Sequence, residues 1–124
     1  MNGGKMANIL IVDDSSLIRS VASSATKEAG HNAIVATNGQ EGLEMMEANQ
    51  IDLVFSDVNM PIMGGLDMVE NIKANPAYKF IPIIMLTTES DATLKQRGKA
   101  LGVKAWMLKP FNKDKFFMVV KKLL

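Results

Sequence analysis

Residues 51–66 read IDLVFSDVNMPIMGGL. Leu53–Ser56 is an apolar run of strand length that ends at an acid, Asp57, after which Pro61 and Gly64 punctuate a turn. Leu66, Val69 and Ile72 then recur at helical spacing as far as Pro76. Strand, polar end, turn and helix form one unit, and the rest of the chain repeats it. Further strand candidates are Ile9–Val12, Ala33–Ala36, Ile83–Leu86 and Ala105–Leu108. Four of the five are almost wholly apolar, as strands covered on both faces should be. The first helical stripe is Leu17, Ile18, Val21, Ala22 and Ala25, closed by Gly30, and Leu43 with Met46 marks the second. The fourth helix, roughly Asp91–Leu101, has the weakest stripe, with Leu94 among Lys95, Gln96, Arg97 and Lys99. Asn112 is a good N-cap for a last helix expected to bury Phe116, Phe117, Val120 and Leu123. Five β–α units in series predict an α/β fold: a doubly wound parallel sheet with right-handed crossovers and helices on both faces.

At 124 residues the chain is long enough for one core, with a loose tail over 1–7 and the domain over 8–124. Its 48% hydrophobic and 22% charged content is that of an ordinary globular protein, and no apolar run reaches membrane-spanning length. A net charge of +1 gives no general reason to bind nucleic acid or a membrane surface. The absence of cysteine excludes disulfides, zinc–thiolate sites and cysteine nucleophiles, and permits a cytoplasmic setting. The ten methionines read as core filler and His31, in the turn after Gly30, as a solvated side chain.

In an open α/β sheet, ligands bind beyond the carboxyl ends of the strands. The first strand runs into Asp13 and Asp14, the third into Asp57, the fourth into Thr87 and Thr88, the fifth into Lys109 and Pro110. Three carboxylates, two hydroxyls and one ammonium therefore converge on one edge. Clustered carboxylates raise each other's pKa unless a cation joins them, and Lys109 alone is too little for three acids. A hard divalent ion is the complement, and with few carboxylates and room for water magnesium fits better than calcium. Magnesium beside an aspartate makes phosphoryl transfer reasonable, with Asp57 as acceptor and Lys109 and Thr87 holding the remaining oxygens. Plainer roles stand beside these. Asp13 and Asp14 can cap the first helix, Asp57 can form a turn, Thr87 can cap the next helix, and Lys109 can be a solvated charge. Trp106 is either core or a side chain that swings between two packings.

Taken in order, Asp13-Asp14, Ser56-Asp57-Val58-Asn59-Met60-Pro61, Leu86-Thr87-Thr88-Glu89 and Lys109-Pro110-Phe111 resemble bacterial two-component receiver domains, most closely the single-domain chemotaxis regulators of the CheY type. The resemblance implies a flavodoxin-like (βα)5 fold with strand order 2-1-3-4-5. It implies that Asp57 accepts phosphate from the phosphohistidine of a histidine kinase, with Asp14, Asp57 and the Asn59 backbone carbonyl on Mg2+ and Asp13 acting through water. It makes Thr87 and Lys109 the phosphoryl-oxygen ligands, Lys109-Pro110 a cis peptide, and Thr87 with Trp106 the switch that reshapes helix 4, strand 5 and helix 5. By the same resemblance, Asn59, Thr88 and Glu89 would tune the phosphorylation and hydrolysis rates. Gly64 stands where many receivers carry Asp, which should loosen that turn, and Trp106 replaces the usual Tyr or Phe.

The expected protein is a monomeric cytoplasmic switch, not an enzyme beyond its own phosphorylation and dephosphorylation. Its partners would be a chemotaxis-type histidine kinase and a downstream protein such as the flagellar motor switch. Lys95, Arg97, Lys99, Lys104, Lys113, Lys115, Lys121 and Lys122 give its last third a positive cast. Two rival readings share parts of the pattern. A flavodoxin-like cofactor protein would need phosphate-binding donors where Asp13-Asp14 stands. An aspartate-based Mg-dependent phosphohydrolase typically carries a second Asp two residues after the nucleophile, where this chain has Asn59.

Overall fold

The computed structural model describes residues 6–88 and 92–124. Strands and helices alternate throughout: β1 (Asn8–Val12), α1 (Ser16–Glu28), β2 (Asn32–Ala36), α2 (Gly39–Ala48), β3 (Leu53–Asp57), α3 (Gly65–Ala74), β4 (Ile83–Thr87), α4 (Ala92–Ala100), β5 (Ala105–Leu108) and α5 (Lys113–Leu123). All strand pairs are parallel and the order is β2-β1-β3-β4-β5. That order puts β1 and β3 side by side, so the ends carrying Asp13 and Asp57 are neighbours although they lie 44 positions apart in the chain.

The apolar runs of β1, β3 and β4 are buried end to end because helices cover both faces of the sheet. Alternate residues face opposite ways. Leu10, Val12, Val54, Ile83 and Met85 pack toward α2, α3 and α4, while Ile9, Ile11, Leu53, Phe55, Ile84 and Leu86 pack toward α1 and α5. Phe55, Phe111 and Phe116 form an aromatic cluster on the second side, with centroid separations of 5.1 to 5.9 Å.

The first helix turns further than its stripe predicts. Ala22, Ala25 and Thr26 are its buried residues, whereas Leu17 is 68% exposed and Val21 37%. The small alanines let α1 approach the sheet closely, and Thr26 is admitted because its hydroxyl donates to the Ala22 carbonyl at 2.8 Å. His31 is not simply solvated: it is half-buried and its Nδ1 accepts the Ala7 N–H at 3.0 Å, tying the approach to β1 to the start of β2. Most described methionines are core or pack against it, the exceptions being Met6 and Met118, both largely exposed.

Helix capping follows the sequence. Ser15 and Asn38 accept from the N–H groups of Ile18 and Glu41, and Asn112 accepts from Lys115. Among the described helix starts that of α3 is the exception, because its N-cap is Gly64, which has no side chain to offer. The turn is nevertheless tightly held. The Gly65 N–H donates to the Val58 carbonyl at 2.8 Å, and the Gly39 N–H donates to the Met63 carbonyl at 2.8 Å. Within it Ile62 adopts φ 70° and is 84% exposed, an unfavourable conformation for a β-branched residue.

Candidate functional site

Asp13, Asp14 and Asp57 meet at the carboxyl edge of the sheet, with one carboxylate oxygen of each lying within 4.8 Å of the others. Asp57 is the last residue of β3 and is 5% exposed. Its Oδ1 accepts the Val58 N–H at 2.8 Å, which fixes the carboxylate rotamer, and its Oδ2 accepts from Lys109 Nζ at 3.3 Å. Asp13 is 1% exposed; its Oδ1 accepts the Ser15 N–H at 2.9 Å. Asp13 Oδ2 is buried and receives no hydrogen bond among the described residues, because Lys109 Nζ stands 3.6 Å away. Asp14 is exposed and forms the solvent side of the cluster.

Burial pushes the Asp13 carboxyl above its ordinary value of 3.8; the Ser15 N–H opposes this, the Asp57 charge adds to it, Lys109 lowers it, and Asp14 adds further. A buried carboxylate oxygen with no donor, beside two further acids, is the environment a hard cation satisfies. The donor set therefore fits a divalent ion with oxygen ligands.

Thr87 closes β4, is 1% exposed, and is hydrogen-bonded or otherwise paired. Its carbonyl accepts the Lys109 N–H at 2.8 Å, so β4 and β5 deliver the threonine and the lysine together. Lys109-Pro110 is cis. Asn59 is exposed at the lip of a cleft of about 350 Å3 shared with Val58, Met60, Leu94 and Arg97. Thr88 is exposed beyond the strand, and Glu89 lies outside the described residues. Trp106 sits on β5 opposite Met85 and packs, half-buried, against the core on the α4 side. Of the basic residues of the last third, Arg97 turns to Asp67 of α3 at 2.8 Å and Lys113 to Glu28 at 3.2 Å.

Two supporting residues were not legible in the motifs. Arg19 Nη1 donates to the Asp13 carbonyl at 2.8 Å and so steadies the acidic loop from one turn up α1. Gly65 lies so close to β3 that any Cβ there would overlap the Asp57 carbonyl oxygen. The glycine run in the quoted stretch was the signal for the latter; nothing in the sequence pattern distinguished Arg19.

The family model described as "Response regulator receiver domain" matches residues 9–121. Protein PilG of Pseudomonas aeruginosa is 30% identical over 91% of this chain and 84% of its own length. Chemotaxis protein CheY-3 of Vibrio cholerae is 34% identical over 87% of this chain and 84% of its own. Among solved structures, the chemotaxis response regulator CheY4 of Vibrio cholerae superposes with a TM-score of 0.90 at 40% identity, covering 97% of this chain and all of that one. TrrA of Thermotoga maritima, solved in complex with Mg(2+)-BeF, gives a TM-score of 0.85 at 34% identity, covering 96% and 100%. With the sheet order, the acid-lined edge and a family match across nearly its whole length, this chain belongs to the response regulator receiver domains and is a CheY-like phospho-receiver.

Proposed function

We propose that Asp57 takes a phosphoryl group from the phosphohistidine of a histidine kinase, in a site where Asp13, Asp14, Asp57 and the Asn59 backbone carbonyl hold Mg2+. The observation that carries this reading is the buried Oδ2 of Asp13, without a donor among the described residues, within a three-carboxylate cluster that Lys109 only partly neutralises. The Mg2+-bound relative at 34% identity supports the choice of ion. Bound there, magnesium would neutralise charge on the transferring phosphoryl oxygens.

The chain's own residues do the rest. The Val58 N–H holds the Asp57 carboxylate in one rotamer, so one oxygen is presented along a fixed line to the donor phosphorus. The donor's P–N bond breaks as the Asp57 O–P bond forms, giving an acyl phosphate. Lys109, already on Asp57 and Asp13, is placed to take a phosphoryl oxygen as negative charge builds up. Thr87 supplies a hydroxyl from the adjoining strand end, and its response couples to Trp106 on β5. Asn59, Thr88 and Glu89 tune the return to the unphosphorylated state by controlling water.

The output face is α4, β5 and α5. There Leu108 and Met118 are exposed among Lys95 and Lys115, a surface suited to an acidic partner segment. A chemotaxis-type kinase upstream and a protein target such as the flagellar motor switch downstream complete the reading. The chain then acts in the cytoplasm as a monomer, turning over no substrate but its own phosphate. No helix among the described residues is long and apolar enough to cross a membrane. The flavodoxin-like alternative is disfavoured because Asp13 and Asp14 would repel a cofactor phosphate, and the phosphohydrolase because Asn59 cannot act as acid or base.

Incubation with acetyl phosphate and magnesium tests the assignment by intact mass. Wild type should gain one phosphoryl group, which Asp57→Asn or chelation of magnesium abolishes. Modification that persists in Asp57→Asn would overturn it.

A further inference from the structure

We propose that Gly98 is the residue that admits the Trp106 ring beneath α4, so that the two form a matched pair setting whether the ring packs inward or outward. The inference rests on the reading of Trp106 as the switch aromatic only for its consequence; the packing itself is a property of the unphosphorylated protein.

Gly98 is the buried residue of α4. A glycine inside a helix weakens it relative to alanine, so helix propensity alone argues against this choice. The reason for it is on β5. A Cβ at position 98 would stand 2.8 Å from Trp106 Cζ3 and 3.4 Å from Cε3, against only ordinary contact with Val103 Cγ2 at 3.6 Å. The benzo edge of the indole thus occupies the space an alanine methyl would need.

The helix is poorly placed to back away. The Val103 N–H donates to the Gly98 carbonyl at 2.9 Å and the Gly102 N–H to the Lys99 carbonyl at 3.0 Å, locking the last turn of α4 to the entry of β5. With this turn of the helix held by backbone bonds at the contact itself, the planar ring is the part that yields.

Its hold on the inward position is also incomplete. Trp106 Nε1 is buried with no hydrogen-bond partner among the described residues, a cost that an outward ring would recover from water. Contact with the core around Leu94 and Leu101 opposes that cost. Hollows bordered by Lys99 and Lys104 on one side, and by Leu108 and Met118 on the other, give a displaced ring room. Two packings of one side chain are thereby brought near balance, and the absence of a methyl at 98 decides between them.

The test is Gly98→Ala in the otherwise unaltered chain, read without phosphorylation from Trp106, the only tryptophan. Emission should move to longer wavelength and acrylamide quenching should rise, as the inward-to-outward ratio falls by about tenfold, equivalent to about 1.4 kcal/mol and within the cost of overpacking. A Trp106→Tyr background, whose smaller ring lacks the benzo edge, completes the cycle. There Gly98→Ala should raise the melting temperature, as helix propensity dictates, whereas with Trp106 present it should not. Folding of the alanine variant only in the Tyr background would also bear out the pairing. Equal stabilisation in both backgrounds with unchanged emission would overturn it, as would failure to fold in both. A lack of acetyl phosphate labelling at Asp57 would sink the phospho-receiver assignment and leave this result standing.

Discussion

Replacing Asp13 by Asn should stabilise the metal-free protein near neutral pH, although it removes a residue from the site. Each carboxylate pair in the cluster lies within 4.8 Å; at an effective dielectric constant of about 20 such a pair repels by about 3.5 kcal/mol. Lys109, 3.6 Å from Asp13 Oδ2, returns about 4.6 kcal/mol on the same scale. Asp14 is exposed, so its share of the repulsion is heavily screened. Attraction and repulsion nearly cancel, and burial of a charged oxygen without a donor remains as the net penalty. That agrees with burial being the largest cause of the raised Asp13 pKa. Asn at this position keeps an oxygen for the Ser15 N–H and points an amide toward neighbouring carboxylates, for a gain of about 1–3 kcal/mol, or roughly 3–10 °C in melting temperature. The gain is pH-dependent. Below 3.8 the wild-type carboxyl is protonated both folded and unfolded, and there is no penalty to relieve. As pH rises from 3.8 through the higher folded value, the unfolded chain ionises first and wild type loses stability relative to the variant. Thermal melts with chelator across this range measure the difference, and added magnesium should raise the wild-type midpoint more than that of Asp13→Asn. A variant less stable than wild type in chelator at neutral pH, or an advantage that does not shrink on acidification, would refute the electrostatic account of the site.

Two further substitutions probe the loop between β3 and α3. Ile62→Asn should stabilise the protein by about 1 kcal/mol, because Asn tolerates the left-handed backbone at φ 70° and an 84% exposed side chain loses little packing; urea midpoints measure it, and a lower midpoint would show that the isoleucine is needed there. Gly65→Ala should cost roughly 3 kcal/mol and also slow acetyl phosphate labelling, since the methyl must displace either α3 or the Asp57 carbonyl; labelling at the wild-type rate would show that the strand end absorbs the methyl without moving its carboxylate.

The fold was legible because each strand candidate but Leu53–Ser56 is an unbroken apolar run and each helix but α4 carries a clear stripe, so period and order alone set the alternation. The candidate site was legible for the same reason: a parallel sheet places all strand ends that precede helices on one edge, and those ends carry Asp13, Asp57, Thr87 and Lys109. What escaped the sequence were relations that period does not encode. Leu17 and Val21 belong to the helical stripe by spacing, yet only its small residues Ala22 and Ala25, joined by Thr26, are fully buried, and Leu17 and Val21 face out. Gly64, standing where many receivers carry Asp, implied a loosened turn, but backbone bonds from Gly65 and Gly39 supply the restraint. Arg97 counted as one more surface charge until α3 brought Asp67 beneath it.

Those same relations divide the molecule into a stiff half and a loose one. Asp13, Asp57 and Thr87 stand at the ends of three adjacent strands that are buried along their length, so the acceptor and its neighbours keep their separations while charge arrives. Alpha 4 is different: it buries a single glycine, lacks a strong apolar stripe, and is tied to α3 through an exposed Arg97–Asp67 pair worth at most about 1 kcal/mol. An element held firmly only at its last turn can be moved by a change of a few kcal/mol, which, on the proposed reading of Lys109 and Thr87, is the scale of a phosphoryl group gaining or losing their contacts. The chemistry needs fixed distances and the output needs a movable surface. On the proposed reading both demands are met through β5, which joins the two halves with Lys109 beyond its end, against Asp57, and Trp106 under α4.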